Sequence, residues 1–217
     1  MTDLGDAITV FVLVAIGAYL IGAVPFGLIV GRLVRGVDLR QHGSHRTGAT
    51  NALRTLGLPA ALAVLLLDIA KGVTAVVVAR ALGGDVLSEW AAAIAGVSAI
   101  VGHNWSIYIR FTGGRGVATS AGALGAMSPL TLLIVAPIVF GLIWRTRYVS
   151  LGSISGALAA PVVAAVLWAI GAATVQSIVY AAAAGIIVAA AHADNISRLR
   201  AGTERKIGHK EAVQTDG

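Results

Sequence analysis

Ile8-Thr-Val-Phe-Val-Leu-Val-Ala-Ile-Gly-Ala-Tyr-Leu-Ile-Gly-Ala-Val-Pro-Phe-Gly-Leu-Ile-Val30 runs without a charged residue. A helix needs about 20 apolar residues to cross the hydrocarbon core of a bilayer, so this stretch reads as a membrane span. Met1 to Ala7 carries Asp3 and Asp6 but no Lys or Arg. A cleavable leader would need a basic start, so the span is expected to be retained. Pro25 should kink its last third, because proline removes a backbone donor and clashes with the preceding turn.

The rest of the chain has the same character. Of 217 residues, 57% are hydrophobic and 12% are charged, and the mean hydropathy is +0.86. An ordinary soluble domain carries roughly 25% charged residues. Lipid must therefore be the solvent for most of this chain. In lipid every backbone polar group must be satisfied internally, which for segments of this length means helices. Further apolar segments fall at 57–81, 89–102, 117–127, 130–144, 152–170 and 174–191. The expected fold is an all-α polytopic membrane protein with seven transmembrane helices. It forms a single domain over 1–217, with 208–217 a flexible tail. No cysteine is present, which excludes disulfides and thiolate chemistry.

Charge sets the orientation. With the N-terminus outside and seven crossings, the inner segments are 31–56, 103–116, 145–151 and the tail. They hold every Lys and Arg except Lys71 and Arg80. That matches the positive-inside rule and places the C-terminus in the cytoplasm. The short segment 117–127 is needed to keep the later basic loops on the same side.

The polar chemistry collects on that side as well. Asp38-Leu-Arg-Gln-His-Gly-Ser-His-Arg-Thr-Gly-Ala-Thr-Asn51, followed by Arg54, combines glycines, hydroxyls and arginines. Glycine lets backbone N–H groups converge on an oxyanion, and arginine offers a bidentate fork to phosphate. The Walker phosphate-loop pattern is absent. A glycine-rich connector anchored to lipid head groups would have the same composition. Gly102-His-Asn-Trp105 and Phe111-Thr-Gly-Gly-Arg-Gly116 precede an apolar segment, so Arg115 and backbone donors could meet an anion at a helix N-terminus. A tight turn with one basic residue is the alternative, and Trp105 and Tyr108 read as interfacial anchors. Arg145-Thr-Arg-Tyr-Val-Ser-Leu-Gly-Ser153 alone is an ordinary basic loop. His192-Ala-Asp-Asn195, with Arg198, Arg200, Glu204, Arg205 and Lys206, closes the set. His192 and Asn195 would share a face if the last span continues.

Asp68 and Lys71 lie inside a span, where ionisable groups are costly and either compensate each other or serve function. The five histidines show no metal-binding spacing, and no soluble basic domain exists to carry nucleic acid. Neither a metal, a cofactor nor a nucleic-acid partner is expected.

Taken together, these clusters resemble the acyl-phosphate-dependent glycerol-3-phosphate acyltransferases of bacteria. Gly43-Ser-His-Arg-Thr-Gly-Ala-Thr-Asn51 is similar to that family's Gly-Ser-Gly-Asn-x-Gly-Ala-Thr-Asn signature. Leu67-Asp-Ile-Ala-Lys-Gly72 resembles its second-helix motif. Gly102-His-Asn-Trp and Phe-Thr-Gly-Gly-Arg-Gly-Val-Ala-Thr119 resemble its Gly-His and Gly-Gly-Lys-Gly-Val-Ala-Thr segments. Val149-Ser-Leu-Gly-Ser153 and His192-x-x-Asn-Ile-x-Arg-Leu, continuing to Glu-x-Lys-Ile207, match the remaining two. His45-Arg46 stands where the family has Gly-Asn, and Arg115 where it has Lys.

The resemblance implies acyl transfer from acyl phosphate to the 1-hydroxyl of sn-glycerol 3-phosphate, giving lysophosphatidic acid and inorganic phosphate. It implies a multi-pass protein of the bacterial inner membrane, surrounded by lipid, with its site facing the cytoplasm. Ser44, Arg54, Arg115, His192 and Asn195 are the expected catalytic residues. Gly43, Arg46, Gly48, Thr50, Asn51, His103, Gly113, Gly114, Ser150 and Arg198 are the expected substrate-binding ones. A transporter of an organic anion is the alternative, and it would place its polar residues near the midplane. There this chain has only Asp68 and Lys71.

Overall fold

A computed structural model describes residues 4–208 of the chain; Asp3 and the expected flexible tail beyond 208 lie outside the described residues. The described chain is helical, apart from loops and a single bridge between Ser106 and Thr112. The first apolar stretch forms α1 (Leu4–Ala23) and α2 (Phe26–Arg35). They are separated at Val24-Pro25, where the proline ring supplies no N–H. The expected kink interrupts the helix at these two residues, while Leu4–Arg35 remains one spanning stretch. The carbonyls it leaves over are taken up from elsewhere. Ser106 Oγ donates to Ala23 O at 2.5 Å, and Lys71 Nζ donates to Val24 O at 3.2 Å.

A short helix, α3 (Ala49–Thr55), follows the first polar loop. The segments expected at 57–81 and 89–102 form two limbs of α4 (Leu58–Asn104). They meet at Gly84, whose backbone is not helical (φ 57°, ψ −162°). Glycine alone takes that conformation readily. Next come α5 (Val117–Met127), α6 (Pro129–Thr146), α7 (Val149–Ala169) and α8 (Val175–Ala191). The chain bends by 61° at His192 into α9 (Ala193–Arg200). The last span therefore does not continue straight through Asn195.

Among the described residues, four helical stretches are long and apolar enough to cross a membrane. They are Leu4–Arg35, Leu58–Gly84, Pro129–Thr146 and Val149–Ala169, with α8 and α9 a fifth if the bent pair counts as one. The second limb of α4 and the 11-residue α5 are not among them. Their flanks explain their place in the fold. A Cβ on Gly72 would collide with Thr119 O, and one on Gly122 with Ile69 O, so α5 lies backbone to backbone against the first limb of α4. Small residues permit such close approach between helices in lipid. The main core joins α4, α5, α7 and α8 around Val76, Ile100, Ala123 and the fully buried Tyr180. Tyr180 satisfies its hydroxyl on Ser120 O at 2.9 Å.

Candidate active site

The first polar loop is built around one amide. Asn51, in the first turn of α3, is 1% exposed. Its Nδ2 donates to Leu39 O (2.9 Å), His42 O (3.1 Å) and Arg46 O (2.8 Å), and its Oδ1 accepts the Ser44 N–H at 3.0 Å. The carboxamide expected to hold substrate is thus spent on shaping the loop, and residues 39–46 wrap around it. Gly43, at φ 58°, sits against Asn51 Oδ1, leaving no room for a Cβ. His45 also lies in the left-handed region, at φ 55°. That conformation explains why the family pattern has glycine there. The histidine is held by Nδ1 on Arg40 O at 2.9 Å. Gly48 precedes α3, Thr50 and Arg54 lie on it half-buried, and Ser44 and Arg46 are half-buried on the loop itself.

Arg40 ties this loop to the second. Its guanidinium pairs with Asp38 at 2.6 Å and donates to Ile109 O and to Thr112 Oγ1, both at 3.4 Å. The Arg40 hydrogen bond holds the Asp38 carboxyl below its ordinary value despite partial burial. In the second loop Gly113 and Gly114 are buried against the end of α4. A Cβ on Gly113 would strike His103 O, and one on Gly114 the His103 ring. His103 is itself buried, and its Nδ1 faces Asp68 Oδ1 at 3.5 Å.

Arg115 leaves that loop toward the chain's last helices. Its Nε donates to Ala191 O at 3.2 Å, and Nη2 pairs with Asp194 Oδ2 at 2.7 Å. Burial, with Arg46 and Arg198 nearby, pushes the Arg115 pKa down, while Asp194 opposes the shift. Arg198 reaches the same Asp194 oxygen at 3.2 Å and Glu204 Oε2 at 2.8 Å. Glu204 Oε1 accepts from Ser150 Oγ (2.8 Å) and from Asn195 Nδ2 (2.6 Å). Burial alone would raise the Glu204 carboxyl. The donors Asn195, Ser150 and Arg198 outweigh it and hold the group below its usual range. Asn195 Oδ1 is buried without a protein hydrogen-bond partner.

His192 sits at the bend between α8 and α9, 3% exposed. Its Nδ1 lies 2.8 Å from Val188 O. A carbonyl only accepts, so Nδ1 carries the hydrogen and Nε2 keeps a lone pair. Burial, with Arg115 adding to it, lowers the pKa to about 4, so the ring is neutral at neutral pH.

The structure therefore brings Arg115, His192, Asn195, Ser150 and Arg198 into one cluster, with Arg46 close enough to act on Arg115 electrostatically. The first loop is joined to the second through Arg40. Three residues that sequence reasoning left without a role, Arg40, Asp194 and Glu204, hold the arrangement together. Glu204 and Asp194 stood inside quoted motifs, but an acid in a basic cluster gave no signal of being a hub. Among the described residues no group of His, Asp or Glu is arranged to hold a metal ion. A shallow apolar groove of about 80 Å³, open on one side, begins beside the cluster at Val117 and Val188. It runs between α5, α6, α7 and α8 past Gly156 to Leu124 and Leu132. Seven residues of helix separate Val117 from Leu124, or about 10 Å of length.

Known proteins share this fold. Two crystal structures of PlsY, an integral membrane glycerol 3-phosphate acyltransferase, superpose on it. Its glycerol 3-phosphate form gives a TM-score of 0.81 at 33% identity over 91% of this chain and 96% of that one. The lysophosphatidic acid form gives 0.80 at 32% identity over 91% and 95%. The glycerol-3-phosphate acyltransferase of Halalkalibacterium halodurans is 46% identical over 92% of this chain and 96% of its own length. Glycerol-3-phosphate acyltransferase 2 of Moorella thermoacetica is 44% identical over 92% and 99%. The family profile of glycerol-3-phosphate acyltransferase matches residues 12–202, and the chain belongs to that family of integral membrane enzymes.

Proposed function

We propose that this acyltransferase moves a fatty acyl group from acyl phosphate to the 1-hydroxyl of sn-glycerol 3-phosphate. The products are lysophosphatidic acid and inorganic phosphate, and the step is the first acylation of phospholipid synthesis. The observation that carries the reading is the meeting of Arg115, His192, Asn195, Ser150 and Arg198 at the mouth of an apolar groove. Phosphate recognition and an acyl chain are thereby offered adjoining places.

Arg54, Arg115, His192 and Asn195 hold glycerol 3-phosphate. Ser44 and the loop backbone with Gly43, Arg46, Gly48 and Thr50 hold the acyl phosphate. Gly113 and Gly114 let the second loop close in, and Ser150 and Arg198 donate to a phosphate once released from Glu204. Asn51 and His103 act through the loops they support. The glycerol oxygen attacks the acyl carbon, the bond from that carbon to the phosphate oxygen breaks, and the phosphate leaves. His192 Nε2 accepts a hydrogen bond from the attacking hydroxyl. With a pKa of about 4 it is a weak base, whereas a phosphate dianion takes up its proton nearer neutrality, with a pKa of about 6. The leaving phosphate therefore takes the proton, and Ser44 is not a covalent nucleophile. Positioning and cationic stabilisation supply the rate.

Purified protein given acyl phosphate and glycerol 3-phosphate should release phosphate only when both are present. Inertness toward acyl phosphate and toward acyl thioesters alike would sink the reading, and an acyl-enzyme found on Ser44 by mass spectrometry would overturn the direct attack.

The chain crosses the bacterial inner membrane seven times, N-terminus outside and site in the cytoplasm. The one-sided Lys and Arg distribution supports this. The chain lacks cysteine, so single cysteines introduced at 36 and 171 should label with an impermeant maleimide from opposite sides. Labelling from the same side would contradict it.

A further inference from the structure

Asp68, Lys71 and His103 form a buried ionisable cluster that touches neither the cationic cluster nor the groove. Lys71 Nζ lies 2.9 Å from Asp68 Oδ1, and His103 Nδ1 lies 3.5 Å from the same oxygen. Their exposures are 1%, 4% and 7% for Asp68, Lys71 and His103. Burying such groups is expensive, and mutual neutralisation needs only two of them. The third member and the outward contacts call for a further reason.

Each arm of the cluster leads to a different polar loop. Lys71 donates to Val24 O at 3.2 Å, at the break before Pro25. Its ammonium also stands 5.8 Å above the Phe26 ring, the first residue of α2. One residue on, Gly27 lies so close to Thr47 O that a Cβ would not fit. Thr47 belongs to the loop that carries Ser44 and Arg46. On the other arm, His103 O accepts the Gly114 N–H at 3.1 Å, and the His103 ring fills the space a Gly114 Cβ would need. Gly114 precedes Arg115.

We propose that Asp68, Lys71 and His103 are positioning residues that set the two anion-binding loops at their working separation. One carboxylate oxygen is shared by both arms, so the place of α2, and with it the first loop, is coupled to the place of the second. This rests on the acyl transfer assigned above to those loops. Neither arm touches substrate; the effect passes through Val24 and Gly27 on one side and through Gly114 on the other.

Two variants of the full chain in detergent test it, with melting midpoint, kcat and both KM values measured. His103→Gln keeps the Asp68–Lys71 pair intact. Asp68→Leu/Lys71→Met removes the pair without orphaning a charge. A loop displaced by about 1 Å loses ground-state and transition-state contacts together, so the loss should fall on KM, about tenfold or more. His103→Gln should raise the KM of at least one substrate, and the double variant the KM of both. In each, kcat should stay within about threefold and the midpoint should hold. Unchanged KM values in His103→Gln overturn the proposal whether or not the double variant folds. A lower midpoint with unchanged KM values makes the cluster structural only. Wild-type turnover, measured first, reports on acyl transfer separately. Should it be absent, calorimetric binding of inorganic phosphate to wild type and His103→Gln decides the positioning, equal affinities overturning it.

Discussion

The two ends of the candidate site are held by opposite means. The loop at 39–46 is wrapped around a neutral amide, and Asn51 spends every hydrogen bond it has on backbone groups. The cluster at 115, 150 and 192–204 is held by two carboxylates, and their partners are the side chains that a phosphate would claim. A loop organised by a neutral residue is set before substrate arrives and keeps its N–H donors aimed. A cluster organised by carboxylates must exchange one anion for another. The first end is a mould, and the second is a set of cations and donors kept from repelling each other while they wait.

The largest effect should follow from breaking the mould. Asn51→Asp replaces donors by an acceptor facing three carbonyls. Each buried group left unsatisfied costs about 1–3 kcal/mol. The variant should lose measurable turnover and melt well below wild type, and near-normal kcat would show that the loop does not depend on this amide. Glu204→Ala should come next. It leaves Asn195 and Ser150 without their acceptor and Arg198 with Asp194 alone, at a cost of about 1–3 kcal/mol. Added phosphate should restore part of the melting midpoint, because it offers the same donors an anion. Absence of that rescue would contradict the exchange.

The third effect is of pH. His192 is held at a pKa of about 4, against 6.5 when unfolded. Between those values the unfolded chain binds a proton that the folded chain does not, so stability rises with pH there. The contribution is complete above about 6.5 and is lost as pH falls toward 4. His192→Gln should flatten the melting profile across that window; an unaltered slope would place the effect elsewhere. The smallest effect belongs to His45→Gly. Relief of a left-handed residue is worth about 1–2 kcal/mol, but the hydrogen bond to Arg40 O is lost. The net change in midpoint should be slight and kcat should hold. A large loss of activity would give His45 a part in binding.

Much of this was legible in the sequence because hydropathy acts over whole segments. The apolar runs mark the helices to within a few residues. What escaped was local. Pro25 read as a kink and is one, but its partners were not legible: Ser106 and Lys71, distant in sequence, satisfy the freed carbonyls. By contrast, the two helices expected at 57–81 and 89–102 are present as limbs on either side of the non-helical Gly84, where Gly83-Gly84-Asp85 interrupts the apolar pattern. Asn51 read as a ligand because an exposed asparagine and a loop-filling one look alike in sequence. Glu204 read as incidental because its worth lies in three donors brought from two helices by folding.

The account stands on the identity of the acyl donor. Purified protein in lipid vesicles, given glycerol 3-phosphate with acyl phosphate and acyl coenzyme A bearing different isotopes, settles it by mass spectrometry of the product. The account predicts lysophosphatidic acid carrying only the label of the acyl phosphate, with one phosphate released per ester formed. Label from the thioester in the product would contradict it.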